Sequence, residues 1–490
     1  MLGVEELRRV VNIGIELTTE KNHNLLLKKM VTSAMDIAEC DAGTLYLYVD
    51  NALEFKIMRT LSMGVSRGED GEKIDLPPVP LREGNVCAYA AIHRELINIP
   101  DVYTSDRFDF SGPKNYDKIT GYRTGSMLVI PLEDSENELV GVLQLMNKHN
   151  GHEDPFTEED EFLIRSLGSM AAISLSEKIY LTEVKDQMHS FVQAFATAVD
   201  ERTPYNGSHT RKVTEYSAIL ADYINEIHEK GETEDFFNEN RREQLVLAAT
   251  LHDIGKMIVP LSVMNKATRL DTDLPKVIDR FEFLSVCYER DMYKGKITEE
   301  ENEKMQQYLS DSLDFIKEID NAGFMPDEKL ERVKDISEHK YVKENGEELP
   351  FLNDKETECL MIRKGTLTDK ERKIMESHVV MTKRILDQVH FNKRYCNVAK
   401  FAAEHHEKLN GKGYPNGLTA DELCLESRML AVCDVYDALT SSDRPYKKPM
   451  PKEKAFAILY DMAKYNELEE RLVRYLEEAL SDPEVEASVV

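Results

Sequence analysis

Two short runs of histidine and acidic residues restrict this chain most. They are His252-Asp253-Ile254-Gly255-Lys256 and His405-His406-Glu407-Lys408-Leu409-Asn410-Gly411-Lys412-Gly413-Tyr414-Pro415. Each adjoins an apolar helical stretch: Leu245 to Leu251 leads into the first, and His405 and His406 end a helix predicted over Asn397 to Glu407. Helices of that kind pack inward and carry their polar neighbours with them. A buried carboxylate or imidazole without a partner is costly, and metal ions are the natural compensation. Further residues share the setting. His209 opens a helix after the turn at Pro204 to Gly207, and His378 lies in a helix after Thr368-Asp369-Lys370-Glu371. Asp434 and Asp437 lie in Ala431 to Leu439, a segment ending at Asp443-Arg444-Pro445-Tyr446-Lys447. A single histidine on a half-apolar helix is more often a core or surface residue than a ligand. The constellation shifts the balance.

Imidazole nitrogens with carboxylate oxygens suit iron, manganese or related ions better than calcium. Two neighbouring divalent ions lower the pKa of a bound water and stabilise charge on phosphoryl oxygens, so the set points to phosphodiester hydrolysis. In His252-Asp253 the carboxylate can bridge two ions while the imidazole holds one, and His405 and His406 can serve different ions.

A length of 490 residues predicts two or three domains. Hydrophobic residues make up 41% and charged residues 31%, a globular composition. No apolar run is long enough to span a bilayer, and the acidic start Met1 to Glu6 lacks the features of a secretion signal, so residence in the cytoplasm is expected. The seven cysteines include no CxxC pair, which fits reduced thiols. A net charge of −29 excludes DNA or RNA binding as the main task, because such a surface repels phosphate backbones. A small nucleotide held locally by metals and a few cations remains compatible.

Along the chain, residues 4–19 and 24–39 show helical spacing, followed by a strand pair over Gly43 to Val49 and Leu53 to Leu61. Residues 64–80 read as loop, 83–94 as a short helix, and Leu96 to Ile99 as a short strand. Ser126 to Leu132 and Leu139 to Met146 are strongly apolar strands. The pattern predicts an α+β domain built on one sheet. From Thr157 to about Thr203 it is helical almost without a break, and beyond that no strand set is evident. The fold class is therefore α+β and multidomain: an antiparallel sheet with flanking helices over 1–178, a connecting helix over 160–200, and an all-α domain over 190–470. Two readings of the connecting helix stay open: two helices that close one domain and open the next, or one signalling helix that pairs with its copy in a parallel homodimer.

The run Gly141 to Lys148, followed by Phe156-Thr157-Glu158-Glu159-Asp160-Glu161, resembles the signature of GAF domains in cyclic-nucleotide phosphodiesterases and adenylyl cyclases. Asp106 to Asp109 and Thr120 to Thr124 are similar to the same subgroup, and the resemblance covers about residues 5–180. It implies a sensor of a small ligand such as cyclic AMP or cyclic GMP, with Asn147, Lys148, Phe156, Asp160 and Glu161 as its motif residues. Thr157 also reads as a helix N-cap with Asp160 in a capping box. Lys148 pairing with Asp160 would be a scaffold clamp that says nothing about ligand.

The two histidine runs resemble the HD-GYP family over about 190–265 and 363–470. The resemblance implies an all-helical domain that hydrolyses cyclic di-GMP at two or three divalent metals, iron or manganese foremost, with a water activated by the metals as nucleophile. Its metal ligands would be His209, His252, Asp253, His378, His405, His406 and Asp434. Asp253 and Lys256 would carry catalysis. Lys256, Gly413, Tyr414, Pro415, Arg444 and Lys447 would meet the substrate, the arginine being suited to two-pronged phosphate contact. Another cyclic dinucleotide such as cGAMP, or a non-catalytic dinucleotide receptor, are the alternatives.

The chain departs from the family pattern in three places. The acidic residue that helps hold a third metal in some members has only Asp200 and Glu201 as candidates. The block before Arg444 is one residue longer than usual. Residues 267–361 form an insertion, with helices predicted over Val277 to Tyr293, Glu299 to Ile319 and Asp327 to His339. The insertion reads either as a solvated helical excursion or as a cap or rim over the active site. Nothing recommends Glu338, His339 or His390 as ligands.

Overall fold

The computed structural model describes residues 4–20, 22–148, 154–202, 208–441 and 450–481. They form two compact units, Met1–Met188 and His189–Val490.

In the first unit α1 (Val4–Thr19) and α2 (His23–Ala38) precede β1 (Cys40–Val49), β2 (Ala52–Thr60), β3 (Val65–Arg67) and β4 (Val79–Pro80). After α3 (Val86–His93), β5 (Ile97–Ile99) and α4 (Ser111–Thr120) come the long strands β6 (Met127–Glu133) and β7 (Leu139–Lys148), then α5 (Glu158–Asp200). All strands join one antiparallel sheet in the order β3-β2-β1-β7-β6-β5, with β4 on β2. Side chains alternate across it, as a period of two requires. Leu45, Leu143 and Leu145 face a core shared with Leu26, Met30 and Val31 of α2 and Ile164, Leu167 and Leu175 of α5. Tyr46, Met127, Val129 and Val142 face the other way, onto Val86, Cys87, Ala90 and Phe110. The region 64–80, expected as loop, contains the short strands β3 and β4, whose few residues carry too little alternation to be read. α4 has ten residues and only two large apolar side chains, too few to mark a helix.

The helix α5 is continuous from Glu158 to Asp200. Thr157 and Asp160 form the expected reciprocal cap: Asp160 N–H donates to Thr157 Oγ1 at 3.2 Å, and Thr157 N–H donates to Asp160 Oδ2 at 2.6 Å.

The second unit is helical. α6 (His209–Glu229) and α7 (Glu239–Leu251) are followed by a 3-10 turn at Ile254–Ile258 and the short α8 (Leu261–Met264). α9 (Leu274–Tyr293), α10 (Glu299–Asp320), α11 (Asp327–Glu338) and α12 (Asp354–Leu360) lie in the stretch 267–361 expected as an insertion. Then come α13 (Asp369–Leu386), α14 (Val398–Ala403), α15 (Leu425–Thr440), α16 (Lys452–Lys464) and α17 (Glu470–Ala479). Val213, Leu220, Leu245, Ala249, Val432, Phe456 and Leu472 pack α6, α7, α15, α16 and α17 around one core. Capping boxes start α10 (Thr298 with Glu301), α12 (Asn353 with Glu356) and α13 (Thr368 with Glu371), the T/N-x-x-E pattern that marks a helix start.

The insertion closes its apolar side chains on one another. Leu270, Phe281, Leu284, Phe315, Ile316, Val333, Phe351 and Leu360 form a core of its own. Arg269, fully buried, ties its root together: the guanidinium donates to Ile319 O at 2.7 Å, to Ile362 O at 3.2 Å, and to Ala322 O. One expectation fails here. Lys340–Val342 and Glu348–Pro350 pair as a hairpin, β8 and β9. Each strand has three residues, and Tyr341 is the one that is buried, so no alternating run exists to be seen.

Candidate metal centre

Four histidines are aimed by the same device. His252 caps the C-terminus of α7, and its Nδ1 lies 2.6 Å from Ala249 O. His378, on α13, has Nδ1 2.6 Å from Met375 O, and His405 has Nδ1 2.7 Å from Ala402 O. A carbonyl oxygen only accepts, so in each ring Nδ1 carries the proton and Nε2 presents its lone pair. His209, at the first position of α6, has Nδ1 2.6 Å from Asp437 Oδ2. Holding one imidazole nitrogen by a hydrogen bond fixes which nitrogen is left for a metal.

The free nitrogens converge on Asp253. Its Oδ2 lies 3.4 Å from His209 Nε2 and 3.3 Å from His252 Nε2. Its Oδ1 lies 3.4 Å from His378 Nε2 and 4.0 Å from His405 Nε2. Asp434 is shared in the same way: Oδ1 is 3.3 Å from His209 Nε2, and Oδ2 is 3.6 Å from His406 Nδ1. Two groups of donor atoms result, His209 with His252 and Asp253, and His378 with His405 and His406. Lys256 Nζ sits 2.5 Å from Asp253 Oδ2.

The electrostatics suit cations. Burial opposes ionisation of Asp253, yet Lys256 and the imidazoles hold its carboxyl well below the usual range. Asp434 is also held low, against burial, by His209 and His406. Burial pushes His378 and His405 down and His406 down to about 4, which keeps them neutral and available as ligands near pH 7. His209 runs the other way: burial opposes its charge, but Asp253, Asp434 and Asp437 raise it. The Nε2 atoms of His378 and His405 are buried with no hydrogen-bond partner. Two orphaned lone pairs beside a carboxylate held ionised are what a bound divalent ion would satisfy, so the donor set fits metals.

Glycines and a threonine bring the segments together. A Cβ on Gly255 would lie 1.9 Å from His378 O, so the 3-10 turn can press against α13 only without a side chain there. Thr382 Oγ1 accepts Gly255 N–H at 3.0 Å and donates to His252 O at 2.9 Å. At the rim, Gly413 packs on the backbone of Glu407 and Lys408, where a Cβ would come within 2.3 Å of Lys408 N. The buried Glu407 accepts the N–H groups of Asn416 at 2.7 Å and Leu418 at 2.9 Å, pinning the loop. Tyr414 lies against His406, ring centroids 4.8 Å apart, and leads through a cis peptide bond into Pro415.

The structure thus brings together His209, His252, Asp253, Lys256, His378, His405, His406 and Asp434, with Gly413, Tyr414 and Pro415 at the edge. Arg444 and Lys447 lie outside the described residues. The helix expected over Asn397 to Glu407 ends at Ala403. Glu404 turns away to accept from Ser427 Oγ at 2.6 Å, so His405 and His406 stand in a turn that can point them in different directions. Asp200 accepts from Thr210 Oγ1 at 2.7 Å and is not among the converging donor atoms. His339 bonds Asp335 O at 2.7 Å, within the insertion. Sequence reasoning placed Asp437 in the His/Asp constellation but not among the ligands, and gave no role to Thr382 or Glu407. The only available signal was the position of Asp437 one helical turn beyond Asp434.

In the first unit the GAF motif residues hold the scaffold. Asn147, fully buried, accepts Gly125 N–H at 2.7 Å and donates to Tyr122 Oη at 2.8 Å and Arg123 O at 2.7 Å. Lys148 pairs with Asp160 in a buried ion pair. Phe156 is in the core, and Glu161 Oε1 accepts from Asn98 Nδ2 at 2.8 Å.

Residues 22–175 match the family model of the GAF domain, and residues 206–337 and 355–469 match two models each described as an HD domain. The chain is 37% identical over 101 residues to a 3'3'-cGAMP-specific phosphodiesterase of Vibrio cholerae, covering 21% of either chain. It is 41% identical over 105 residues to a probable cyclic di-GMP phosphodiesterase of the same organism, covering 20% of this chain and 24% of that one. A dual 3',5'-cyclic-AMP and -GMP phosphodiesterase of Takifugu rubripes is 39% identical over 98 residues, covering 20% of this chain and 10% of that one. The chain spans about a quarter or less of the length of these relatives. No described helix is long and apolar enough to cross a membrane. A GAF domain ahead of an HD domain is what this chain is built from.

Proposed function

We propose that this protein is a metal-dependent phosphodiesterase that hydrolyses cyclic di-GMP to pGpG, GMP or both, under control of a small ligand bound by its GAF domain. The observation that carries this reading is the two-sided use of Asp253, whose oxygens face separate histidine groups. His209, His252 and one oxygen each of Asp253 and Asp434 would hold one divalent ion. His378, His405 and His406 with the other oxygens would hold a second, iron or manganese being favoured by the N and O donors. Such ions, when bound, lower the pKa of water and take up charge on the phosphoryl group.

The chain's own groups do the rest. Lys256, within reach of Asp253, would hold a phosphate oxygen. Arg444 and Lys447 would hold others. Tyr414, packed on His406 and fixed by the Glu407 clamp, would border the substrate. A cyclic mononucleotide is the ligand we assign to the GAF domain. A parallel homodimer would run along α5, where Leu181, Val184, Met188, Phe191 and Phe195 alternate three and four residues apart, and where Leu181 is 70% and Phe191 62% exposed.

A relative named for 3'3'-cGAMP favours a second reading, in which the substrate is a mixed cyclic dinucleotide. Anaerobic purification with metal analysis, then product analysis over a panel of cyclic dinucleotides with and without cyclic AMP or cyclic GMP, tests both. A fully metallated protein inert toward every member would reject them and leave a receptor.

A further inference from the structure

The end of α5 and the residues just past it reach the His209, His252 and Asp253 group of the metal centre from behind. Asp200, 8% exposed, accepts a 2.7 Å hydrogen bond from Oγ1 of the buried Thr210, the residue next to His209. Arg202 donates from Nη1 to Lys256 O at 3.0 Å and from Nη2 to Val259 O at 3.1 Å. Those carbonyls close the 3-10 turn Ile254–Ile258, which begins at Asp253 and carries Lys256. Ala196 and Val199 of the same helix border a small void with Thr210, Thr250, Leu251, Asp253 and Ile254.

We infer that Asp200 and Arg202 are positioning residues. Asp200 sets the start of α6, and with it His209. Arg202 sets the turn that aims Asp253 and Lys256. The physical reason is the shape of the guanidinium: a rigid planar fork can hold two carbonyls at a fixed separation, whereas an ammonium is a single point of attachment. Neither residue touches the donor atoms, so each acts through the segment it holds. Because α5 is one helix from Glu158 to Asp200, a rotation of its axis moves both attachments together and shifts His209 and the Asp253 turn, which belong to one donor group, relative to His378, His405 and His406. That makes the final turn the place where a change in α5 becomes a change in turnover. This inference rests on the phosphodiesterase reading only for its kinetic readout.

The test uses the full chain loaded with manganese. Arg202→Ala, Arg202→Lys and Asp200→Asn are compared with wild type for metal content, kcat and KM on cyclic di-GMP, and amide exchange over 208–213 and 252–259. We expect Arg202→Ala to lower kcat about tenfold to a hundredfold with KM nearly unchanged, the size of effect a small misplacement of reacting groups produces. Exchange at 254–259 should quicken, and Arg202→Lys should not rescue either. Asp200→Asn should quicken exchange at 208–213 instead. In a second arm, two residues are inserted after Asp186, turning the helix end by about 200°, or seven, which nearly restores its phase. The two-residue insertion should lower kcat more than the seven-residue one, and this difference should vanish when Arg202→Ala and Asp200→Asn are both present. Unchanged exchange and kcat in Arg202→Ala, or an equal loss in a Leu459→Ala control with matched thermal stability, would overturn the inference. If wild type and every variant are inactive but the exchange changes appear as expected, the positioning stands and the phosphodiesterase reading falls.

Discussion

Asp437 Oδ2 lies 2.6 Å from His209 Nδ1, whereas the rings of His252, His378 and His405 rest their Nδ1 atoms on main-chain carbonyls. The carboxylate is fully buried and its Oδ1 has no hydrogen-bond partner. A carboxylate behind a ligand histidine fixes the ring and strengthens the opposite nitrogen as a donor. The two donor groups are therefore not equivalent.

From this follows the first prediction. Asp437→Asn keeps an acceptor for Nδ1–H but removes the charge, and should weaken binding at the His209 and His252 group about 10- to 100-fold. Asp437→Leu, which removes both, should weaken it more. Competition of manganese against a chelator, read as metal per chain, checks this. Equal retention in both variants would sink the idea.

Gly255→Ala should be poorly tolerated. The added methyl would fall 1.9 Å from His378 O and 2.5 Å from Thr382 N, and both are main-chain atoms that cannot step aside. Overpacking of this kind costs about 1–3 kcal/mol, more where backbone must shift. The purified variant should show a lower unfolding midpoint in urea and a loss of metal, since the turn carries Asp253 away from His378.

The metal-free protein should lose stability between about pH 6.5 and pH 4. Burial lowers the pKa of His406 to about 4 and depresses those of His378 and His405. In the unfolded chain these rings take up protons near their ordinary pKa of about 6.5. Below that value the unfolded state binds more protons than the folded one, so stability present above pH 6.5 drains away as pH falls toward 4. His209, raised by its carboxylate neighbours, acts with the opposite sign, its contribution being full below 6.5 and lost as pH rises through its raised pKa. Three depressed rings outweigh one raised ring. Urea midpoints at pH 7.5, 6 and 5 after chelation should fall in that order; a flat series would contradict the burial.

Lys148→Ala should destabilise the GAF domain by about 3–5 kcal/mol, because Asp160 would be left buried without its cation. Replacing Lys148 and Asp160 together by Met and Leu should recover much of that loss. Thermal unfolding of the single and double variants gives the comparison. Were Lys148 to serve a ligand instead, the double variant would be as stable as wild type yet unable to bind, which calorimetry with cyclic AMP or cyclic GMP would detect.

Much of the site could be read from the chain because its residues come in short runs whose spacing carries chemistry. His252 and Asp253 are adjacent, and His405 and His406 stand just ahead of a glycine-rich turn. The supporting residues lack such a mark. Thr382 is one threonine in a helix, and its bonds to His252 and Gly255 span more than a hundred positions. Glu407 reads as a charged residue after two histidines, although its carboxylate clamps the loop that follows. The hairpin at Lys340–Val342 and the helix over Ser111–Thr120 escaped for a different reason: each is short and has few apolar residues.

Local pattern determined most of the long helices and strands and the fold class of each half, and with the family resemblance it named candidate metal ligands, since periodicity, capping and ligand chemistry are properties of neighbouring residues. Only the tertiary structure decided which oxygen of Asp253 faces which histidines, that Asp437 stands behind His209, and that the end of α5 grips the turn carrying Lys256. Those are relations between segments far apart in the chain, set by how buried surfaces fit together, and no local spacing encodes them.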